Sequence, residues 1–226
     1  MMDIERRGVY GRRASRITIF AQLFGILALI LLLIWLLHYR EGIEYDSYNG
    51  YRVFNVHPLL MFMGYIFMSG QAIMAYHTIP TERSTQKFMH MLLHLIAFVL
   101  GIVGLCAVFK FHSMLHLENV FSLHSWIGIG TFSLYGLQWV IGFFTFMGRA
   151  PEATKMRVAP WHVAGGRALL YMGICAALTG IMEKYTFLRL NSILRYGEGS
   201  LMNFMGLAIL LFGVFVDLSV SLAHYV

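Results

Sequence analysis

The sequence predicts an all-α membrane protein of six transmembrane helices, in which spans two to five form a central four-helix bundle. Of its 226 residues, 58% are hydrophobic and only 12% are charged, against about 25% charged in an ordinary soluble domain. The mean hydropathy is +0.67. Six apolar stretches recur, each of about 20 residues, the length that crosses a bilayer core. The chain holds only four prolines, which excludes a Pro-rich disordered or fibrous protein.

Residues 1–16 form a polar tail containing Arg6, Arg7, Arg12, Arg13 and Arg16. Ile17 to Leu37 follows without a charge. It is too long for a signal-peptide core and has no small-residue cleavage site, so it is expected to remain as the first span. The later spans are expected at about 54–76, 88–109, 123–147, 160–182 and 200–222, joined by short loops marked by charges, Pro, Gly or Asn. The predicted organisation is therefore a basic tail, 1–16, and one six-helix domain, 17–226. No soluble segment is long enough for a nucleotide-binding fold and no Gly-rich phosphate loop occurs, so any redox chemistry would use cofactors inside the bundle.

The formal charge is +6 and the pI about 9.4, but the basic residues sit in short loops, which points to membrane topology and not to nucleic acid. With the N-terminus inside, the inner segments hold Arg6, Arg7, Arg12, Arg13, Arg16, Arg83, Lys87, Arg149, Lys155 and Arg157, and the outer loops hold Arg40, Arg52, Lys110, Lys184, Arg189 and Arg195. Ten against six puts both termini in the cytoplasm. Cys106 and Cys175 fall in apolar runs and read as packing residues.

Ionisable residues inside a span are costly and mark function. His57, His90, His124 and His162 lie near the starts of spans two, three, four and five. Successive spans alternate in direction, so His57 and His124 come out near the outer face and His90 and His162 near the inner one. Imidazoles on facing helices can supply both axial ligands of a haem iron. No CxxCH occurs, so two such haems would be non-covalent and b-type. With each ligand about one turn into a helix about 30 Å long, the irons would lie roughly 20 Å apart. Gly128, Gly165 and Gly166, three or four residues after a histidine, offer clearance for a macrocycle or simply close helix packing.

His94 shares a helical face with His90 at i, i+4, and periodicity does not say which of the two binds iron. An HxxxH pair also suits zinc, although a closed zinc site needs four ligands; otherwise His94 is a hydrogen-bonded polar group in the bundle. His38, His77, His112, His116 and His224 lie at span ends or in loops. His112 stands out, because it follows Lys110 in the outer loop and is close in sequence to His124. The methionines of the spans show no repeating ligand spacing and read as core filling. Arg167, the one basic residue well inside a span, is near enough to the inner face to snorkel or to meet a haem propionate.

Several segments together carry a family resemblance. His57-Pro58-Leu59-Leu60-Met61, the run from Lys87-Phe88-Met89-His90 to His94, Ser122-Leu123-His124-Ser125-Trp126 and Pro160-Trp161-His162 resemble the cytochrome b561 family over about residues 53–187, the expected haem-binding core. The resemblance implies a homodimeric six-helix cytochrome with two haem b groups. It implies single-electron transfer from cytoplasmic ascorbate to monodehydroascorbate or a ferric chelate across an endomembrane (vesicle, lysosome or vacuole) or the plasma membrane. The family's ligand pairs match His57 with His124 and His90 with His162. The position of His94 is not always histidine in the family, which favours His90.

The family's inner basic residues match Arg83, Lys87 and Lys155, with Arg157 close by, and positive charge suits monoanionic ascorbate. At the outer face a family histidine that contacts ascorbate or a metal-bound substrate matches His112, and Asn119, Ser122 and Trp126 lie in the corresponding segment. Many members carry Arg or Lys after the tyrosine matching Tyr76, where this chain has His77, so an anion there would be held more weakly or in a pH-dependent way. Two other readings compete for the same spans: a reductase devoted to ferric iron uptake, and a histidine-based metal transporter or inert scaffold. A transporter would be expected to show carboxylates near the midplane or helices broken by central proline. Here Asp217 lies near the inner end of its span.

Overall fold

The computed structural model describes residues 2–223, with side chains described from Arg16 onward. His224 lies outside the described residues, as do the side chains of Arg6, Arg7, Arg12 and Arg13. Six helices are long and apolar enough to cross a membrane: α1 (Arg16–Tyr39), α2 (Gly50–Thr78), α3 (Arg83–Leu115), α4 (Leu123–Met147), α5 (Glu152–Leu190) and α6 (Glu198–Ala223). The helix that contains α1 begins at Met2, so the tail continues the first span as helix. The start of α1 and the end of α6 meet at one end of the bundle, where Thr18 and Ser219 hydrogen bond at 2.5 Å. We term this the inner end.

Hydropathy places all six spans but shortens some of them. Helix α5 runs 39 residues, about 58 Å at 1.5 Å per residue against a hydrocarbon core of about 30 Å. Its ends therefore stand beyond the apolar layer, where residues such as Lys155 and Arg189 sustain helix well enough. The expected start at Pro160 is corrected to Glu152, with Pro151 at the cap and Pro160 inside the helix. Pro58 also lies inside its helix, and α2 then widens into a π-helical segment, Met61–Met68. A proline removes one backbone donor and crowds the preceding turn, so such a local rearrangement next to it is expected. The histidines therefore do not lie equally far from their helix starts: His124 is the second residue of α4, whereas His57 and His90 lie two turns into α2 and α3.

The packing is pairwise. Helix α1 lies along α6, α2 along α3, and α4 along α5, while α2/α3 and α4/α5 meet sparingly along a seam. The α1/α6 pair flanks α2 and α5. It is fastened by groups that are costly to leave unpaired in lipid. Gln22 and Gln71 exchange two amide hydrogen bonds at 2.8 and 3.0 Å. At the other end, fully buried Glu198 receives Trp35 at 2.8 Å and pairs with Arg40. Arg167 ties α5 to α6: Asp217 binds it through two hydrogen bonds, at 2.5 and 2.9 Å, and Ser221 accepts a third at 3.0 Å. A carboxylate on the next helix in sequence order satisfies it.

Candidate functional site

The four histidines line the seam as two facing pairs. At the outer end the ring centroids of His57 (α2) and His124 (α4) are 6.1 Å apart. At the inner end those of His90 (α3) and His162 (α5) are 6.2 Å apart. Each pair thus reaches from one tight helix pair to the other. A first-row metal ion lies about 2 Å from an imidazole nitrogen, so two such bonds plus the inner halves of both rings span about 6 Å. The separations fit one metal centre held axially between each pair.

The hydrogen bonds select the nitrogen that faces inward. His57 Nδ1 donates to the Gly104 carbonyl at 3.1 Å, His90 Nδ1 to Ala72 at 2.8 Å, and His124 Nδ1 to Ala176 at 2.8 Å. A carbonyl only accepts, so these rings carry their proton on Nδ1 and keep the Nε2 lone pair, as a metal-ligating histidine does. The acceptor lies on the tightly paired neighbour helix in each case, which fixes ring orientation from behind. His162 is set by packing: its ring lies 5.1 Å from Phe146 and against Gly142.

Two further glycines make room for the histidine rings themselves. A Cβ on Gly180 would stand 2.7 Å from the His124 ring and one on Gly142 would stand 2.8 Å from the His162 ring. Gly165 and Gly166 instead admit the Gln138 side chain, whereas a Cβ on Gly128 would meet open space. Glycine spacing within one helix carries no signal of a close approach from another, so Gly142 and Gly180 are not legible in sequence.

His94 has its own partner. Its Nδ1 lies 2.7 Å from the Tyr135 hydroxyl, which also meets Ser69 Oγ at 2.9 Å, and its ring is 4.6 Å from that of His90. Tyr135 stacks edge-on with Tyr65 at 4.8 Å, and Tyr65 with Phe132 at 6.0 Å, filling the middle of the seam between the histidine pairs. Tyr135 lies three helical turns from His124, a spacing visible in the sequence. Among the described residues no three His, Cys, Asp or Glu side chains converge as a metal site; the histidines act in twos.

The two ends differ in their surroundings. At the inner end Arg83 and Lys87 open α3 and Lys155 and Arg157 open α5. The Arg83 guanidinium stacks on Tyr76 at 4.4 Å, and Tyr76 meets the His90 ring at 5.2 Å; Lys155 lies 3.5 Å from Glu152. His77 faces elsewhere, 2.9 Å from Ser219 Oγ and 3.3 Å from Thr18 Oγ1. Through Nε2 the His77 ring fastens α2 to α1 and α6.

At the outer end His112 Nδ1 donates to Asn119 Oδ1 at 3.0 Å, which brings two of the expected residues together. Ser122 caps α4, its hydroxyl accepting the Ser125 amide at 3.2 Å. The Trp126 indole donates to the Val120 carbonyl at 3.0 Å and its ring is largely exposed. These two residues shape the start of α4 beside His124.

The comparisons with known proteins agree with this architecture. The family described as eukaryotic cytochrome b561 matches residues 56–188, a range that includes all four paired histidines. A probable ascorbate-specific transmembrane electron transporter of Oryza sativa subsp. japonica is 41% identical over 91% of this chain and 89% of its own. A transmembrane ascorbate ferrireductase of Arabidopsis thaliana is 40% identical over 92% of this chain and 88% of its own. A transmembrane ascorbate-dependent reductase of Sus scrofa is 38% identical over 87% of this chain and 78% of its own.

Proposed function

The chain belongs to the eukaryotic cytochrome b561 family, and from that premise we propose that it is an ascorbate-dependent oxidoreductase that carries single electrons across a membrane. The observation that carries the proposal is the pair of facing imidazole sets, with centroids 6.1 and 6.2 Å apart and three of the four rings held at Nδ1 by carbonyls. His57 with His124, and His90 with His162, are the residues that would each hold one haem b. When bound, such a group supplies a one-electron iron couple with no open coordination position.

The chain's own residues set the direction. Arg83, Lys87 and Arg157 have no carboxylate within ion-pair distance among the described residues, so with Lys155 they give the inner end a positive field for monoanionic ascorbate on the cytoplasmic side. A cation beside the bound ascorbate also favours release of the proton that accompanies its oxidation. At the outer end the His112–Asn119 pair offers polar groups to monodehydroascorbate or a ferric chelate. The relatives named ferrireductases support the ferric chelate. Tyr65, Phe132 and Tyr135, all buried, exclude water from the seam between.

The test is an absorbance spectrum of the detergent-purified protein before and after ascorbate. A bis-histidine haem band that ascorbate reduces is expected, and its absence overturns the proposal.

A further inference from the structure

Lys184 enters no ion pair or hydrogen bond among the described residues, and its surroundings mark it as more than a topology signal. Its ammonium lies 4.1 Å from the centroid of the Phe54 ring, 5.4 Å from that of Tyr51 and 5.3 Å from that of Phe187. Aromatic faces attract a cation but accept none of the three N–H bonds that an ammonium offers in its normal geometry. Four of the other five outer cations have carboxylates: Arg40 pairs with Glu198, Arg52 with Glu44, Lys110 with Asp46 and Arg195 with Glu41. Glu183 is adjacent in sequence and so about 100° round the helix from Lys184.

The position matters as much as the missing partner. Along one face of α5, Ala176 accepts the hydrogen bond of His124, Gly180 abuts its ring, and Lys184 follows one turn further out. On α2, Phe54 separates the ammonium from His57, with 6.3 Å between the two ring centroids. Phe54 also meets Phe111, which meets His112. Tyr51 and Phe187 are exposed, so the aromatic box opens outward. A lysine at a helix end usually lays its stem on apolar surface and sends its ammonium to water; here the ammonium itself is held, one turn above the outer histidines.

We propose that Lys184 is an anion-binding residue of the outer end, its ammonium holding a carboxylate or enolate oxygen presented either by the electron acceptor or by the edge of the outer haem. The proposal rests on the outer histidine pair being a haem site.

The experiment uses the holo-protein in sealed membrane vesicles loaded with ascorbate, with acceptor added on the side of the outer end, and Lys184→Met and Lys184→Arg variants beside the parent. Anionic ferric citrate and cationic hexaammineruthenium(III) serve as acceptors, and the midpoint potentials of the haems are titrated in parallel. If the acceptor supplies the anion, Lys184→Met raises the KM for ferric citrate about tenfold, leaves hexaammineruthenium(III) unchanged, and Lys184→Arg restores the parent value. If the haem supplies it, both KM values hold and the potential of one haem shifts, again restored by arginine. Equal slowing with both acceptors at unmoved potentials, or no change in any readout, overturns the proposal. A parent protein with no ascorbate-reducible haem would instead overturn the functional reading beneath it.

Discussion

The outer and inner histidine pairs are nearly identical in separation and unlike in almost everything around them. Both outer rings are held from behind by carbonyls, of Gly104 and Ala176, whereas at the inner end only His90 is held so and His94 stands beside it. The outer cations are largely neutralised by Glu198, Glu44, Asp46 and Glu41, while among the described residues Arg83, Lys87 and Arg157 at the inner end pair with no carboxylate. Each end nevertheless sets a cation on an aromatic ring that touches a paired histidine: Arg83 on Tyr76 beside His90, and Lys184 on Phe54 beside His57. The lesson is that one spacing of facing imidazoles can sit in two unlike electrostatic surroundings, and under the proposed function that charge marks the end that attracts an anionic donor.

The largest effect that breaks the comparison comes from the ligands themselves. His57→Ala and His90→Ala should each remove about half of the ascorbate-reducible haem absorbance, because each breaks one bis-histidine site and leaves the other. Loss of both haems, or of neither, in either variant would refute the pairing.

Next come the glycines behind the rings. Gly180→Ala would push a Cβ to 2.7 Å from His124 and Gly142→Ala to 2.8 Å from His162. Displacing a metal ligand from its set orientation costs about tenfold to a hundredfold in affinity. Haem retention on dilution should therefore fall at the outer site in Gly180→Ala and at the inner site in Gly142→Ala. Retention equal to the parent's in both would show that the seam relaxes around the added methyl group.

The smallest effect concerns charge. The Arg83→Ala, Lys87→Ala double variant should raise the ascorbate concentration needed for half-maximal reduction by about tenfold, the scale of one or two charge-assisted hydrogen bonds. It should leave the KM for the outer acceptor unmoved. Unchanged reduction kinetics would remove both residues from the donor site.

Much of this molecule is legible before folding is considered. The six spans follow from apolar lengths that only a bilayer accommodates, and the four histidines from the cost of placing imidazoles there. Alternating span direction even assigns His57 with His124 and His90 with His162. The depth of each ligand is less legible, because α3 and α5 continue as helix past their apolar segments. The choice between His90 and His94 is open to periodicity alone, since residues four apart share one face.

Sequence by itself therefore determined the solvent, the number of spans and the four imidazoles placed within them. Only the tertiary structure decided what each polar group meets: Arg167 with Asp217, His77 with Ser219, His94 with Tyr135, and Lys184 with three aromatic rings. The physical reason lies in the bilayer. Lipid is as apolar as leucine, so a hydrophobic pattern does not tell a span how to rotate toward its neighbours. That rotation is set by hydrogen bonds and close packing between residues dozens of positions apart.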